Sequence, residues 1–268
     1  MAMLEAQLDA ALRALDQDCR WELIDGLMDE CPDDVLEAAV GLLGDGDERA
    51  RTLGADVLGR LLGSNQADRA RALASLDAAL LTETADTTIA SLVAALGHGR
   101  DEASVPRILE LATHPCSEVR LAVAFAVATI QSEELSPDAR QGLILLSRDE
   151  EPEVRDWATF GLGTLSAADG PDVRAALLAR AEDRNRQTRA EALFGLAVRS
   201  DPRAVPHLIR ALESSHVDGL EVDAAAASGD RRLLPALRAL RNRSEANPAK
   251  LSRAIDRCSG EAKRELLS

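Results

Sequence analysis

The chain has 268 residues, 46% of them apolar, with 46 acidic against 31 basic side chains and a formal charge of −15. That surplus argues against a nucleic-acid backbone or an anionic membrane surface as the main partner, because both would repel it. No stretch approaches the roughly 20 consecutive apolar residues that cross a bilayer. Cys19, Cys31, Cys116 and Cys258 form no C-x-x-C pair, which reads as reduced thiols and a cytoplasmic protein.

From the N-terminus, Leu4, Leu8, Leu12 and Leu15 recur at helical spacing between acids. This is a first helix without the basic start or the apolar run of a signal peptide. A repeating segment follows: CRWELIDGLM (19–28), ERARTLGADVLGRL (48–61), SEVRLAVAFAVATI (117–130), PEVRDWATFGLGTL (152–165) and RQTRAEALFGLAVR (186–199). Its anchor is an arginine, at Arg20, Arg51, Arg120, Arg155 and Arg189, with degenerate copies predicted at Ile89 and Asp218. The seven anchors are spaced by 31, 38, 31, 35, 34 and 29 residues, the range of helical repeats.

A second apolar segment precedes the anchored one in most periods: DDVLEAAVGLL (33–43), ASVPRILELA (103–112), PDARQGLILLS (137–147), PDVRAALLARA (171–181) and PRAVPHLIRAL (202–212). The unit is thus a pair of helices, with Pro106, Pro171 and Pro206 near helix starts and Gly, Asp and Ser at the turns. Nothing alternates with period two, so the chain is all α. A single pair cannot bury its apolar stripe, so neighbours must stack around a shared core. After Arg241 the periodicity lapses at NRSEANP, and helices at 249–258 and 261–267 form a predicted cap. The organisation expected is a repeat domain over 1–243 and a helical cap over 244–268, whose Lys250, Arg253, Arg257, Lys263 and Arg264 face solvent.

The pattern D/E-x-V-R-x-x-A-x-x-A-L-G, followed by D-P-R-A-V-P-x-L at 201–208, resembles HEAT repeats of the short bacterial, PBS-lyase-like kind over about residues 3 to 240. The resemblance implies a right-handed α-solenoid of about seven helical hairpins. Scarce lysine with abundant Arg, Ala and Leu suggests a GC-rich bacterial genome.

The five aromatic residues all follow an anchor by one, two or five places. On a helical wheel Val154, Ala158, Gly161, Leu162 and Leu165 share the core stripe, and Phe160 lies about 145° from its centre. The resemblance implies that positions one, two, five and nine after the anchor line a concave groove. Carried over, Trp21, Asp25, Asp56, Phe125, Trp157, Phe160 and Phe194 become the partner-binding residues, with His98 and Val198 on the same columns. An acidic N-terminal half and an apolar centre would suit a protein or peptide with basic and large apolar segments. The competing reading buries the three phenylalanines between adjacent repeats.

The repeated arginines are expected to be structural, pairing with turn carboxylates such as Asp16, Asp47, Glu118, Glu153 and Asp183. His98, His114, His207 and His216 form no H-x-x-x-H motif and none precedes a glutamate, and no nucleophile elbow or phosphate loop is present. No catalytic residue, metal or cofactor is therefore expected. The alkylpurine DNA glycosylases of this resemblance need a cationic face that is missing here. An alternative is a bilin-lyase-like carrier or enzyme that holds an apolar ligand in the same groove, with Cys116 nearby.

Overall fold

The computed structural model describes residues 2–14, 16–29, 31–64, 68–130, 135–241, 243 and 247–260. Among them every regular element is helical. The chain divides into two compact units, Met1–Gln131 and Ser132–Ser268.

The first unit contains α1 (Ala2–Arg13), α2 (Gln17–Leu27), α3 (Pro32–Leu42), α4 (Glu48–Ser64), α5 (Arg69–Leu80), α6 (Asp86–Gly99), α7 (Val105–Leu109) and α8 (Ser117–Ile130). Each odd-numbered helix packs on the even one after it, and the even helices stack: α4 on α6, and α6 on α8. Their buried leucines, Leu53, Leu58 and Leu61 on α4 with Leu92 and Leu96 on α6, make the shared core. The stack is tight because small residues meet there. A Cβ at Gly97 would lie 2.8 Å from Cα of Ala126, closer than a real side chain comes.

The second unit contains α9 (Pro137–Leu146), α10 (Pro152–Phe160), α11 (Pro171–Arg180), α12 (Arg186–Val198), α13 (Ala204–Glu213), α14 (Gly219–Ser228), α15 (Leu234–Arg241) and α16 (Pro248–Ser259). Proline at the first turn of α9, α10, α11 and α16 starts each without wasting an N–H. The α10 helix runs on as a π turn, Gly161–Leu165. There α10 and α12 approach closely, since a Cβ at Gly195 would fall 2.6 Å from Cα of Gly163.

One expectation about register is corrected. The anchor arginines are the fourth residue of their helices, whereas Asp218 is the N-cap of α14, in a capping box with Glu221. The seventh anchor position is therefore Val222, and the N-cap's need for a short acceptor explains the aspartate. The predicted cap helix at 249–258 is α16, which packs on α14 and α15 as the second helix of a hairpin. The further helix expected at 261–267, with Lys263 and Arg264, lies outside the described residues.

Candidate functional site

The even helices carry the residues singled out in the sequence. In the first unit Trp21 on α2 is 39% exposed. Phe125 on α8 is half-buried, its ring edge-on to His98 with centroids 5.1 Å apart. Burial lowers the His98 pKa, and the charges of Arg60 and Arg100 lower it further. In the second unit Trp157 and Phe160 on α10 meet edge to face at 5.7 Å, both half-buried, and Phe194 on α12 is half-buried as well. Phe125, Trp157, Phe160 and Phe194 are thus each partly covered and partly open.

Leu165, which the wheel puts on the core stripe, is 38% exposed, whereas Val154, Ala158, Gly161 and Leu162 are buried. The π turn is the reason. An i→i+5 turn holds more residues than an α turn, so the last residue rotates off the stripe. Val198, at the end of α12, is 46% exposed.

The two N-terminal groove acids are ion-paired within the chain. Asp25 accepts from Arg60 Nε at 2.5 Å, an exposed pair. The Asp56 side chain is only 12% exposed and accepts from Arg20 Nη2 at 2.6 Å. Burial raises the Asp56 carboxyl, opposed by the Arg20 charge and the Ser91 hydroxyl. Two other acids are half-buried or buried in the second unit. Burial raises Asp156, which accepts from the Thr188 hydroxyl at 3.2 Å, and also Glu191, which accepts from Thr164 and Gln187. The two groove acids of the first unit are thus each paired with an arginine of the chain itself.

The repeated arginines close the turns ahead of their own helices. Nη1 of Arg51, Arg120, Arg155 and Arg189 donates to the carbonyls six and five residues earlier, from Asp45 and Gly46 in the first case to Asp183 and Arg184 in the last. The other edge of the guanidinium reaches the next repeat. Arg51 grips Glu83 through Nε (2.7 Å) and Nη2 (3.1 Å), and Arg155 grips Asp183 the same way (2.9 and 3.1 Å). Such forks are stronger than a single contact because two parallel charge-assisted bonds form at once.

The acids in these forks share a place. Five-residue turns at 43–47, 81–85, 147–151 and 181–185 each have a carboxylate third: Asp45, Glu83, Asp149 and Asp183. Each also accepts the backbone N–H two residues on, at 2.8 to 3.0 Å. His114 does the same through Nδ1 at 3.2 Å. The Arg51 fork and the N–H groups of Ala85 and Thr84 outweigh burial and hold Glu83 down to about 2. Burial alone would raise Asp183, but Arg155, the Asn185 N–H and Arg180 bring it below its usual value. Of the turn acids expected to pair with arginine, Asp183 does so. The sequence carried a signal for Asp45, Glu83 and Asp149, which like Asp183 stand six residues before an anchor position.

Arg199 was not singled out in the sequence, having no repeat register. It is buried and donates to five carbonyls, those of Leu162, Gly163, Ser166, Ala168 and Gly195, at 2.7 to 3.2 Å. These include carbonyls that the π turn leaves without α-helical partners, so one side chain satisfies what the irregular turn exposes.

For covalent or metal chemistry little converges. Cys116 Sγ donates to Glu118 Oε2 at 2.8 Å, and that carboxylate raises the thiol pKa, the opposite of activation. Among the described residues no three His, Cys, Asp or Glu side chains gather to hold a metal, and no helix is long and apolar enough to cross a membrane.

The chain matches the HEAT repeats family model over residues 78–163 and 141–228, together more than half of its length. Among curated proteins none matches. The crystal structure of YibA from Escherichia coli is similar with a TM-score of 0.73 at 23% identity, covering 96% of this chain and 95% of that one. An engineered protein has a TM-score of 0.51 at 17% identity, covering 85% and 97%. An archaeal HEAT-like repeats protein from Thermococcus onnurineus has 0.47 at 17% identity, covering 96% and 97%.

Proposed function

Because this chain belongs to the HEAT-repeat family, we propose that it is a non-catalytic interaction scaffold that binds a partner protein or peptide along its second helices. The observation that carries this is the Trp157 and Phe160 pair, with Val198 and Leu165 exposed on the same two successive second-helix segments. Half-covered aromatics with one open edge are the anchors that interfaces use, since they bury large area at little entropy cost. Phe194 extends the anchor set on α12, and Trp21, Phe125, Asp25 and Asp56 stand at the corresponding positions of the first unit. The acids there are already paired, so they contribute orientation rather than net charge. Free thiols at all four cysteines suit a reducing bacterial cytoplasm. The PBS-lyase-like kinship extends to the scaffold alone, because Cys116 is held protonated by Glu118.

The test is capture of host proteins by the native chain and by a Trp157→Ala/Phe160→Ala variant, with circular dichroism showing both folded. A protein retained by the native chain and lost from the variant supports the reading. An unchanged set assigns the pair to packing between repeats. The bilin-carrier alternative predicts a visible absorption band in the purified native chain.

A further inference from the structure

At two joints between repeats the arginine of one second helix grips the turn acid of the next hairpin, Arg51 on Glu83 and Arg155 on Asp183. Arg189 does not. Its Nη1 is used on the carbonyls of Asp183 and Arg184 at 2.6 and 3.1 Å, and among the described residues no acceptor stands against Nε or Nη2. The five-residue turn that should supply one is 214–218, and its third residue is His216 rather than Asp or Glu. The His216 ring turns instead to the Ser215 hydroxyl at 3.0 Å.

Arg189 also borders a space, a cavity of about 440 Å³ that it lines together with Arg184, His207, Arg210, Ser214 and Glu221. Of the carboxylates at its wall, Glu182 is paired with Arg210 and Asp183 with Arg155 and Arg180; burial raises Glu221, opposed by the N–H of Asp218 and the charges of Arg186 and Arg189. Arg189 has Glu221 as a charged neighbour, but among the described residues no carboxylate closes on its Nε and Nη2 edge as a fork. A planar fork with two parallel donors fits a carboxylate better than a spherical anion.

We propose that this cavity binds a carboxylate, held by Nε and Nη2 of Arg189 as Glu83 is held by Arg51 and Asp183 by Arg155. The ligand is a small organic acid or the free carboxyl of a peptide; the chemistry is shared. This does not depend on the aromatic anchors.

The experiment follows the Arg189 Nε–H resonance of the full chain labelled with ¹⁵N-arginine, assigned through Arg189→Lys. Succinate is titrated at constant ionic strength, and separately acetyl-tetraalanine with a free or an amidated C-terminus. A saturable shift with succinate identifies a small-acid site. A shift with the free-acid peptide and none with its amide or with succinate identifies a chain terminus. Either supports the proposal, and a resonance that responds to none of them more than to sodium chloride overturns it. His216→Asp supplies the carboxylate in cis and should raise the melting temperature and weaken the response at least tenfold. A response undiminished in His216→Asp assigns the binding elsewhere and overturns the role of the fork. This second variant keeps the test open if Arg189→Lys fails to fold.

Discussion

The joint between the fifth and sixth repeats and the joint between the sixth and seventh begin from the same device and finish differently. In both, an arginine at the fourth position of a second helix closes its own turn through two carbonyls. At the first joint Asp183, with a side chain 4% exposed, completes the Arg155 fork and also takes Arg180 at 2.9 Å. At the second, His216 stands in place of the acid, no fork forms, and Arg189 lines a cavity. Repetition therefore specifies the fold at each joint, while a single side chain decides whether the arginine fork is completed. Where the arginine is the missing partner the result is similar: Ile89 stands at the anchor of the third repeat, beside a cavity of about 480 Å³ lined by Leu81, Glu83 and Arg107.

The sharpest break of this comparison comes from removing each third turn residue. Asp183→Ala should destabilise the chain by about 3 kcal/mol, because two guanidinium groups and a backbone N–H lose a buried acceptor. His216→Ala should change stability by less than about 0.5 kcal/mol. Urea unfolding measures both, and equal losses would erase the distinction between the joints.

Burial of Arg199 sets a second scale. Replacing it by Met should cost about 2–4 kcal/mol, since carbonyls freed by the π turn lose their donor. A loss near zero would mean that water serves those carbonyls equally well.

Acid should discriminate the joints next. The Glu83 and Asp183 carboxyls are lower in the folded chain than in the unfolded one. Their stabilisation is therefore complete above the unfolded values of about 4 and is lost as pH falls through the folded ones. For Glu83 that loss is centred at about 2. The stability gap between native chain and Glu83→Gln should be constant at neutral pH and shrink between pH about 4.5 and about 2. A gap independent of pH over that window would show that the Arg51 fork is not the source.

The smallest effect belongs to the exposed pair of Arg60 and Asp25. Arg60→Ala should shift stability by no more than about 0.5 kcal/mol, because an exposed ion pair gains little over hydration. A larger loss would point to packing of the arginine stem.

Much of the fold was legible in the sequence because a repeat states its pattern several times. The recurrence of Val-Arg or Thr-Arg at Arg120, Arg155 and Arg189 located second helices, and Pro106, Pro171 and Pro206 fall in the first turns of their helices. The seventh anchor was misread at Asp218 because an N-cap acid near the expected spacing resembles a degenerate copy. The forks are six residues and one repeat removed from their arginines, so a local reading finds the turn acid without finding its partner. Leu165 escaped because a wheel at a constant 100° per residue has no place for a π turn.

By itself the sequence determined the helical class, the two-helix unit, its period and the buried stripe, since apolar spacing and turn residues act within one or two helical turns of themselves. Only the tertiary structure decided how far each aromatic is covered, that Asp56 answers Arg20, that Arg199 fills the π turn, and that Arg189 faces an unfilled place. Those outcomes depend on which side chains neighbouring repeats bring within about 3 Å of one another, and hydrogen bonds and ion pairs are decided at that range.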